Sequence, residues 1–429
     1  MATFKDSNHD GIGDFNGLTS KLGYLDSLGV DVVWLAPFMP SPRKDDGYDV
    51  TDYYSINPKF GTDIDFENFI AAAKRRKIKV IMDIVLNHTS IEHPWYNEAR
   101  RNPASPYHNW YVWADKRPKD ADEGLVFPGV QKETWTYDSV AGKYYFHRFY
   151  DFQPDLNYSN PQVQQESYRI LQYWLKKGVD GYRLDAVPFI IDLPETGSEK
   201  PKRMLRLIPE MRNAVKDVKK DAVLLGEANL SPKENKDYFG ENNNGMQMMF
   251  NFYANQYLIY ALASGELKPF KRAIEDTKVK PQAAQWAFFL RNHDETDLAR
   301  LSRRQRELIY SKFGPEPHMQ LYNRGLRRRL APMLNNSKQL KMAYSLLFSL
   351  PGIPVIRYGE EIGMGDDFSL QERLSVRTPM QWNSEKHGGF SGAALTFRPL
   401  IQDSAFGYKK INVAAQWQDT ASLLNLIKQ

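Results

Sequence analysis

The chain has 429 residues, with 57 basic against 52 acidic side chains and a formal net charge of +5. That balance gives no stripe for neutralising phosphates, so nucleic acid is not an expected partner, and the basic run Arg327 to Arg329 reads as a helix face pairing with acids. Cysteine is absent, which excludes a disulfide framework and a thiolate metal site, and the polar start MATFKDSNHD with no apolar span points to cytoplasmic residence without a membrane.

The first feature in chain order is DSNHDGIGD, Asp6 to Asp14. Oxygen donors at alternate positions around a glycine turn suit a calcium loop, with Asp6, Asn8, Asp10, the carbonyl of Ile12 and Asp14 as ligands. Gly17 stands where an EF-hand carries its closing glutamate, so that motif is not expected; a solvated Asx turn is the alternative. His9 points away from such a loop.

Apolar runs then alternate with amphipathic stretches, the pattern of repeated β/α units around a parallel sheet. The predicted strands are Val30–Pro37, Lys79–His88, Val179–Ala186, Ala222–Ala228, a run near Met246–Phe250, Ala284–Leu290 and Ile353–Gly359. Helices are predicted at Asp65–Lys77, Gln162–Lys177 and Leu340–Leu350. The rhythm breaks between His88 and Asn157, a segment rich in Pro, Trp, Tyr and Asn. A structureless loop of that length is improbable inside a domain, so a small inserted domain is expected there. A second, charged insertion covers Glu295 to Asn336.

The fold expected is therefore α/β, a (β/α)8 barrel interrupted after its third strand. Residues 1–88 and 158–400 form the barrel, 89–157 the inserted domain, and 401–429 the start of a C-terminal region. The predicted strands fall one short of a closed barrel, which would expose two sheet edges. Thr3 to Lys5 is expected to be a stub of the first strand, or else that strand is missing or truncated.

Four strand-like runs end in DIVLNH, GYRLDAV, LLGEAN and FLRNHDE, and so deliver Asp185, Glu227, Asp294, His88 and His293 to one end of the barrel. Loops at that end are where such barrels place their chemistry. Two acids flanking a sugar bond are what glycoside cleavage needs, and a retaining enzyme holds them about 5–5.5 Å apart. Arg183 lies two residues before Asp185, on the same side of a strand, where it would keep the aspartate ionised as a nucleophile. Glu227, in an apolar stretch beside another carboxylate, should hold its proton and serve as the acid. Asp294 would grip ring hydroxyls and stabilise the oxocarbenium-like charge, with His88 and His293 as neutral donors. In DDGYDVTDYY, Asp45 and Tyr48 could offer a hydroxyl contact and a stacking plane, or simply decorate a surface loop. Any one strand end could equally be an ordinary ion pair; four in order argue otherwise.

These four segments resemble the signature regions of the α-amylase superfamily of glycoside hydrolases and transglycosidases, and QPDLN (Gln153 to Asn157) resembles the fifth region of its oligo-1,6-glucosidase-like branch. The resemblance spans nearly the whole chain. It implies Asp185 as nucleophile, Glu227 as proton donor and Asp294 as transition-state stabiliser. It places Asp45, Tyr48, His88, Phe149, Gln153, Arg183 and His293 around the sugar. It also implies a structural calcium ion (Ca2+) at Asn87, Asp155 and Asp192, with the carbonyls of Phe189 and Ile190. Within the branch, GLRRRLAPML, RLDAVPF, VRTPMQW and GYKKINVAAQ are most similar to the members that isomerise maltose to trehalose. Three departures stand out. The apolar strand before Asp6 and a C-terminal β-sandwich have no counterpart here, Arg357 stands where a tyrosine is usual, and the stretch after Ile191 differs.

The function implied is a retaining α-glucoside enzyme that interconverts maltose and trehalose through a covalent glucosyl-enzyme. The alternatives are an α-glucosidase or oligo-α-glucoside hydrolase on the same residues and, from another class, an inactive remnant acting as a binding protein. Small α-glucosides are the expected partners, no organic cofactor is implied, and further copies of the chain are a candidate partner.

Overall fold

In the computed structural model, which describes residues 1–194, 203–240 and 242–429, seven strands join in one sheet. In chain order the strands are β1 (Val32–Leu35), β2 (Lys79–Ile84), β3 (Trp113–Ala114), β4 (Trp135–Asp138), β5 (Lys143–Phe146), β6 (Gly181–Leu184) and β7 (Val223–Gly226). They continue as β8 (Met248–Phe250), β9 (Gln285–Phe289), β10 (Thr296–Asp297), β11 (Gln320–Leu321), β12 (Gly325–Leu326) and β13 (Ile353–Val355). The large sheet runs β1-β2-β6-β7-β8-β9-β13, and each neighbouring pair is parallel.

Each of the seven strands expected from the sequence forms, trimmed at one end or both. Beyond Ile84, for example, the backbone turns its hydrogen bonds to the loops: the carbonyl of Asn87 accepts from the amide of Leu156 at 2.9 Å. Alternation sets the two faces of the sheet. Ile81, Leu225, Phe250, Ala287 and Phe289 pack inside the barrel, whereas Val80, Met82, Leu184 and Leu224 join the core shared with the helices.

The predicted helices form slightly earlier than expected because their caps lie upstream. Asp63–Arg75 starts at Thr62, whose hydroxyl and Asp65 cap each other reciprocally. Pro161–Lys176 starts from an Asn160 cap, with proline in its first turn, and Ser337–Ser349 from Asn336. Among the described residues, no helix is long and apolar enough to cross a membrane.

Both insertions carry small antiparallel sheets. β3-β5-β4 lies within residues 89–157, around its own cluster of Val112, Ala121, Trp135 and Phe146. β10-β12-β11 lies in the second insertion. Residues 401–429 pack directly on the barrel: Leu424 is fully buried in the main core, and Gln416 donates to the carbonyl of Ile362 at 2.6 Å.

Thr3–Lys5 is not the strand stub expected. Ala2–Phe4 forms a buried turn, with the Thr3 hydroxyl 2.6 Å from that of Tyr358 and the Thr3 carbonyl accepting from Met380, and Lys5 beyond it is half-buried. Phe4 meets Trp382 edge-on at 5.1 Å, so side-chain packing rather than a strand ladder holds this segment. Among the described residues, β1 and β13 are each paired on one side only. A cavity opens between them, lined by Trp34, Ile81, Leu225, Phe250, Phe289 and Val355.

Candidate active site

The C-terminal ends of β2, β6 and β7 converge on one guanidinium. Arg183, 1% exposed, donates to Asp83 at 2.8 Å and contacts Asp185 through the same nitrogen. Its other terminal nitrogen pairs with Glu227. One guanidinium thus binds both carboxyls and sets them side by side, as a double-displacement pair requires. Asp83 also accepts from the Trp34 indole at 3.2 Å and the Tyr48 hydroxyl at 2.9 Å, so its role here is to anchor Arg183 from inside the barrel.

The backbone after the nucleophile candidate is strained. Ala186 has φ 49°, in the left-handed region, and its amide donates to Glu227 at 3.1 Å. The carbonyl of Glu227 in turn accepts from the amide of Val187 at 3.2 Å. The acid and the nucleophile candidates are thus positioned against each other through the main chain as well as through Arg183.

Asp294 follows the end of β9. It accepts from Arg373 and Arg377, each at 2.9 Å, and lies 3.2 Å from His293. The His293 ring stacks on Tyr48, with planes 4° apart, and its Nε2 is 2.6 Å from the Tyr48 hydroxyl. His88 is pinned by the Tyr48 carbonyl at 3.0 Å. Asp45 is held between Arg373 at 2.8 Å and Gln153 at 3.2 Å. Phe149 lies against His88, ring centres 5.2 Å apart.

Electrostatics divides the site. Burial raises Glu227 to about 7 against the pull of Arg183, with Asp185 and Asp294 adding to the rise. Burial likewise lifts Asp185 and Asp83 to about 6, again opposed by Arg183. At neutral pH the group most able to hold a proton is therefore Glu227. Asp294 is also buried, but His293, Arg373, Arg377 and Arg183 outweigh that and hold it well below the usual carboxylate range. Burial depresses His88 to about 4 and His293 further still, so both imidazoles are neutral.

The structure thus joins Asp45, Tyr48, His88, Phe149, Gln153, Arg183, Asp185, Glu227, His293 and Asp294 in one cluster of neighbouring side chains. The calcium ligand sets behave differently. In the loop at Asp6, that carboxylate accepts from the amides of Asn8, His9 and Gly11, while Asp14 takes the amides of Ser7 and Gly17. Asn8 accepts from the Asp10 amide and Asp10 from that of Ile12, so the oxygens serve a chain of Asx turns. At the second set, Asp155 sits beside Asn87 and accepts from the Arg148 amide, and burial raises it to about 7. Asp192 is paired with Arg203 instead. Among the described residues, no group of three or more His, Cys, Asp or Glu is placed to hold a metal ion. As they stand, the donors are committed elsewhere, and no step of the chemistry is routed through calcium. The stretch after Ile191 lies partly outside the described residues, at 195–202.

Sequence reasoning overlooked Asp83, Trp34, Arg373 and Arg377. Asp83 was visible as a lone acid inside an apolar strand, a position that demands a buried cation. Arg373 and Arg377 come from the turn Glu372–Val376 and the residue after it, far from any strand end, and their spacing carries no signal of its own.

A β/α barrel with two carboxyls held on one guanidinium and a third, ionised one nearby defines a catalytic domain for glycosidic bonds. The alpha amylase catalytic-domain family model matches residues 1–313 and 318–429, and the chain belongs to the α-amylase family. It is 43% identical over 431 aligned residues to the trehalose synthase/amylase of Mycolicibacterium smegmatis, an alignment covering 99% of this chain and 72% of that protein. It is 32% identical to the oligo-1,6-glucosidase of Parageobacillus thermoglucosidasius, covering 100% of this chain and 80% of that one. Among solved structures, the isomaltulose synthase of Klebsiella sp. LX3 superposes with a TM-score of 0.81 at 27% identity, covering 100% of this chain and 81% of that one.

Proposed function

We propose that the protein interconverts maltose and trehalose by moving a glucosyl group within one closed pocket. The observation that carries this is Arg183 holding Asp185 and Glu227 to its two ends. The names of relatives about 42% identical over nearly the whole chain, trehalose synthases among them, support it.

Asp185 attacks the anomeric carbon, the bond from that carbon to the bridging oxygen breaks, and Glu227 gives its proton to that oxygen. A glucosyl ester on Asp185 and free glucose result. The glucose then turns and offers its own anomeric hydroxyl. Glu227 takes that proton, the new bond forms, the ester bond breaks, and trehalose leaves. Asp294, kept ionised by Arg373 and Arg377, grips ring hydroxyls and stabilises positive charge in both transition states. His88 and His293 donate to hydroxyls without adding charge.

The second reading, hydrolysis, is favoured by the Glu227 side chain being 21% exposed. Water reaching it would be activated exactly as the captive glucose is, and the product would be glucose. Excluding water therefore separates the two activities. Incubation with maltose, followed by proton NMR of the anomeric signals, is expected to show trehalose accumulating ahead of glucose. Glucose alone would remove the isomerase reading and leave the hydrolase.

A further inference from the structure

One carboxylate beside the sugar site gathers three arginines and takes no part in the chemistry above. Asp46 lies in the loop after β1, between Asp45 and Gly47. It accepts from both ends of the Arg398 guanidinium at 2.7 and 3.0 Å, from Arg43 at 2.8 Å and from Arg377 at 3.3 Å. Burial alone would raise its carboxyl, but Arg398, Arg377 and Arg43 outweigh that and hold it well below the usual carboxylate range. The side chains of Arg377 and Arg398 are buried, so these charges lean on one another rather than on water.

Arg377 carries the arrangement inward. Each nitrogen of its planar fork has its own partner: Nη1 donates to Asp46, Nη2 to Oδ1 of Asp294 at 2.9 Å, and Nε to the carbonyl of His293 at 2.9 Å. Arg373, four residues earlier, bridges the same oxygen of Asp294 to Asp45. Two consecutive acids thus face two arginines, with Asp294 between them. Both arginines load Oδ1 of Asp294, whereas Oδ2 lies 3.2 Å from His293. Arg398 also donates to the carbonyl of Arg377 at 3.1 Å and so fixes its backbone. Arg43 and Asp46 have left-handed backbones, with φ of 66° and 57°, a strain that the surrounding contacts hold in place.

We propose that Asp46 is a positioning residue: by holding one nitrogen of Arg377 it keeps that guanidinium on a single oxygen of Asp294 and leaves the other oxygen to the sugar. An arginine released from Asp46 would close on both oxygens of Asp294, the bidentate pairing that guanidinium and carboxylate favour. Asp294 would then be neutralised and its sugar-facing oxygen taken. Asp46 acts through Arg377 and not on the substrate. This rests on Asp294 gripping the sugar and stabilising its positive charge, which the isomerase and hydrolase readings share.

The test uses the full chain with Asp46→Asn, Arg398→Gln, Arg377→Met and the double variant Asp46→Asn with Arg377→Met. Calorimetry in mildly acidic buffer reads the affinity for deoxynojirimycin, a protonated ring amine shaped like glucose, relative to that for neutral glucose. Asp46→Asn is expected to lower this ratio about ten-fold, as Arg377 turns wholly onto Asp294. Arg398→Gln leaves Asp46 one partner short and draws Arg377 away from Asp294, so the ratio should rise about three-fold. With Arg377 already Met, Asp46→Asn should move the ratio by less than about two-fold. An Asp46→Asn effect that persists undiminished without Arg377 overturns the positioning role, as does a ratio unmoved in both single variants. If Asp46→Asn does not fold, the sign in Arg398→Gln decides, and a fall overturns it. Wild-type protein that binds neither ligand defeats the reading of the sugar site itself, and the role of Asp46 falls with it.

Discussion

Asp185→Asn is expected to lower turnover of maltose and of p-nitrophenyl α-glucoside alike, by ~10,000-fold or more, because no other group can form the ester. Glu227→Gln should part the two substrates. Maltose needs its leaving oxygen protonated and should slow by ~100- to 10,000-fold, whereas nitrophenolate leaves unaided. The aryl substrate should therefore give a burst of nitrophenolate matching the enzyme concentration. Equal losses on both substrates would take the acid role away from Glu227.

The pH dependence has a definite sign. The nucleophile must be ionised, and Asp185 at about 6 makes the rate fall below that pH. The acid must be protonated, and Glu227 at about 7 makes it fall above. A narrow bell is expected for kcat/KM on maltose. The Gln variant should lose the alkaline limb in the aryl burst.

Arg183→Met is expected to cost about 3–5 kcal/mol of stability at neutral pH, since it leaves Asp83, Asp185 and Glu227 buried without their cation. In the intact protein these three acids already have folded-state pKa values above their ordinary ones, at about 6, 6 and 7. The folded chain therefore binds more protons than the unfolded one, and their contribution to stability falls as pH rises through 6 to 7. Without Arg183 that slope should steepen, so the variant's deficit shrinks on acidification towards pH 5. Urea unfolding at pH 5.5 and 7.5 measures both. A deficit that is equal at the two pH values, or below about 1 kcal/mol, would mean that Arg183 is not the cluster's counter-ion.

The strand ends were legible because two independent signals coincide there: an apolar run of strand length, and a polar group where that run stops. Asp185, Glu227 and Asp294 each satisfy both. The seven-stranded order followed from the β/α rhythm alone. Thr3–Lys5 misled because a short apolar stretch before a turn reads the same whether its partners are strand backbones or, as here, the rings of Tyr358 and Trp382. The calcium spacing is ambiguous for a related reason. Alternate oxygens around a glycine suit an ion or a run of Asx turns equally, and the sequence does not say which donors the oxygens meet. Arg373, Arg377 and Arg398 were hidden because their meeting with Asp294 and Asp46 depends on how distant loops fold back, a long-range event that leaves no local period.

The two one-sided strands of the main sheet bear on how the molecule behaves in company. Val32 on β1 and Ile353 on β13 are 46% and 39% exposed. Because the sheet is parallel throughout, the last strand of one molecule matches the first strand of the next in direction. Each such joining consumes one free edge of either kind and leaves one of each at the ends. Association of this sort would be head-to-tail, closing into a ring where the rotation per molecule permits and otherwise growing into a fibre. A sedimentation profile that broadens with concentration, and narrows when Val32 is replaced by Lys, would be its signature; a single sharp species at all concentrations would rule it out.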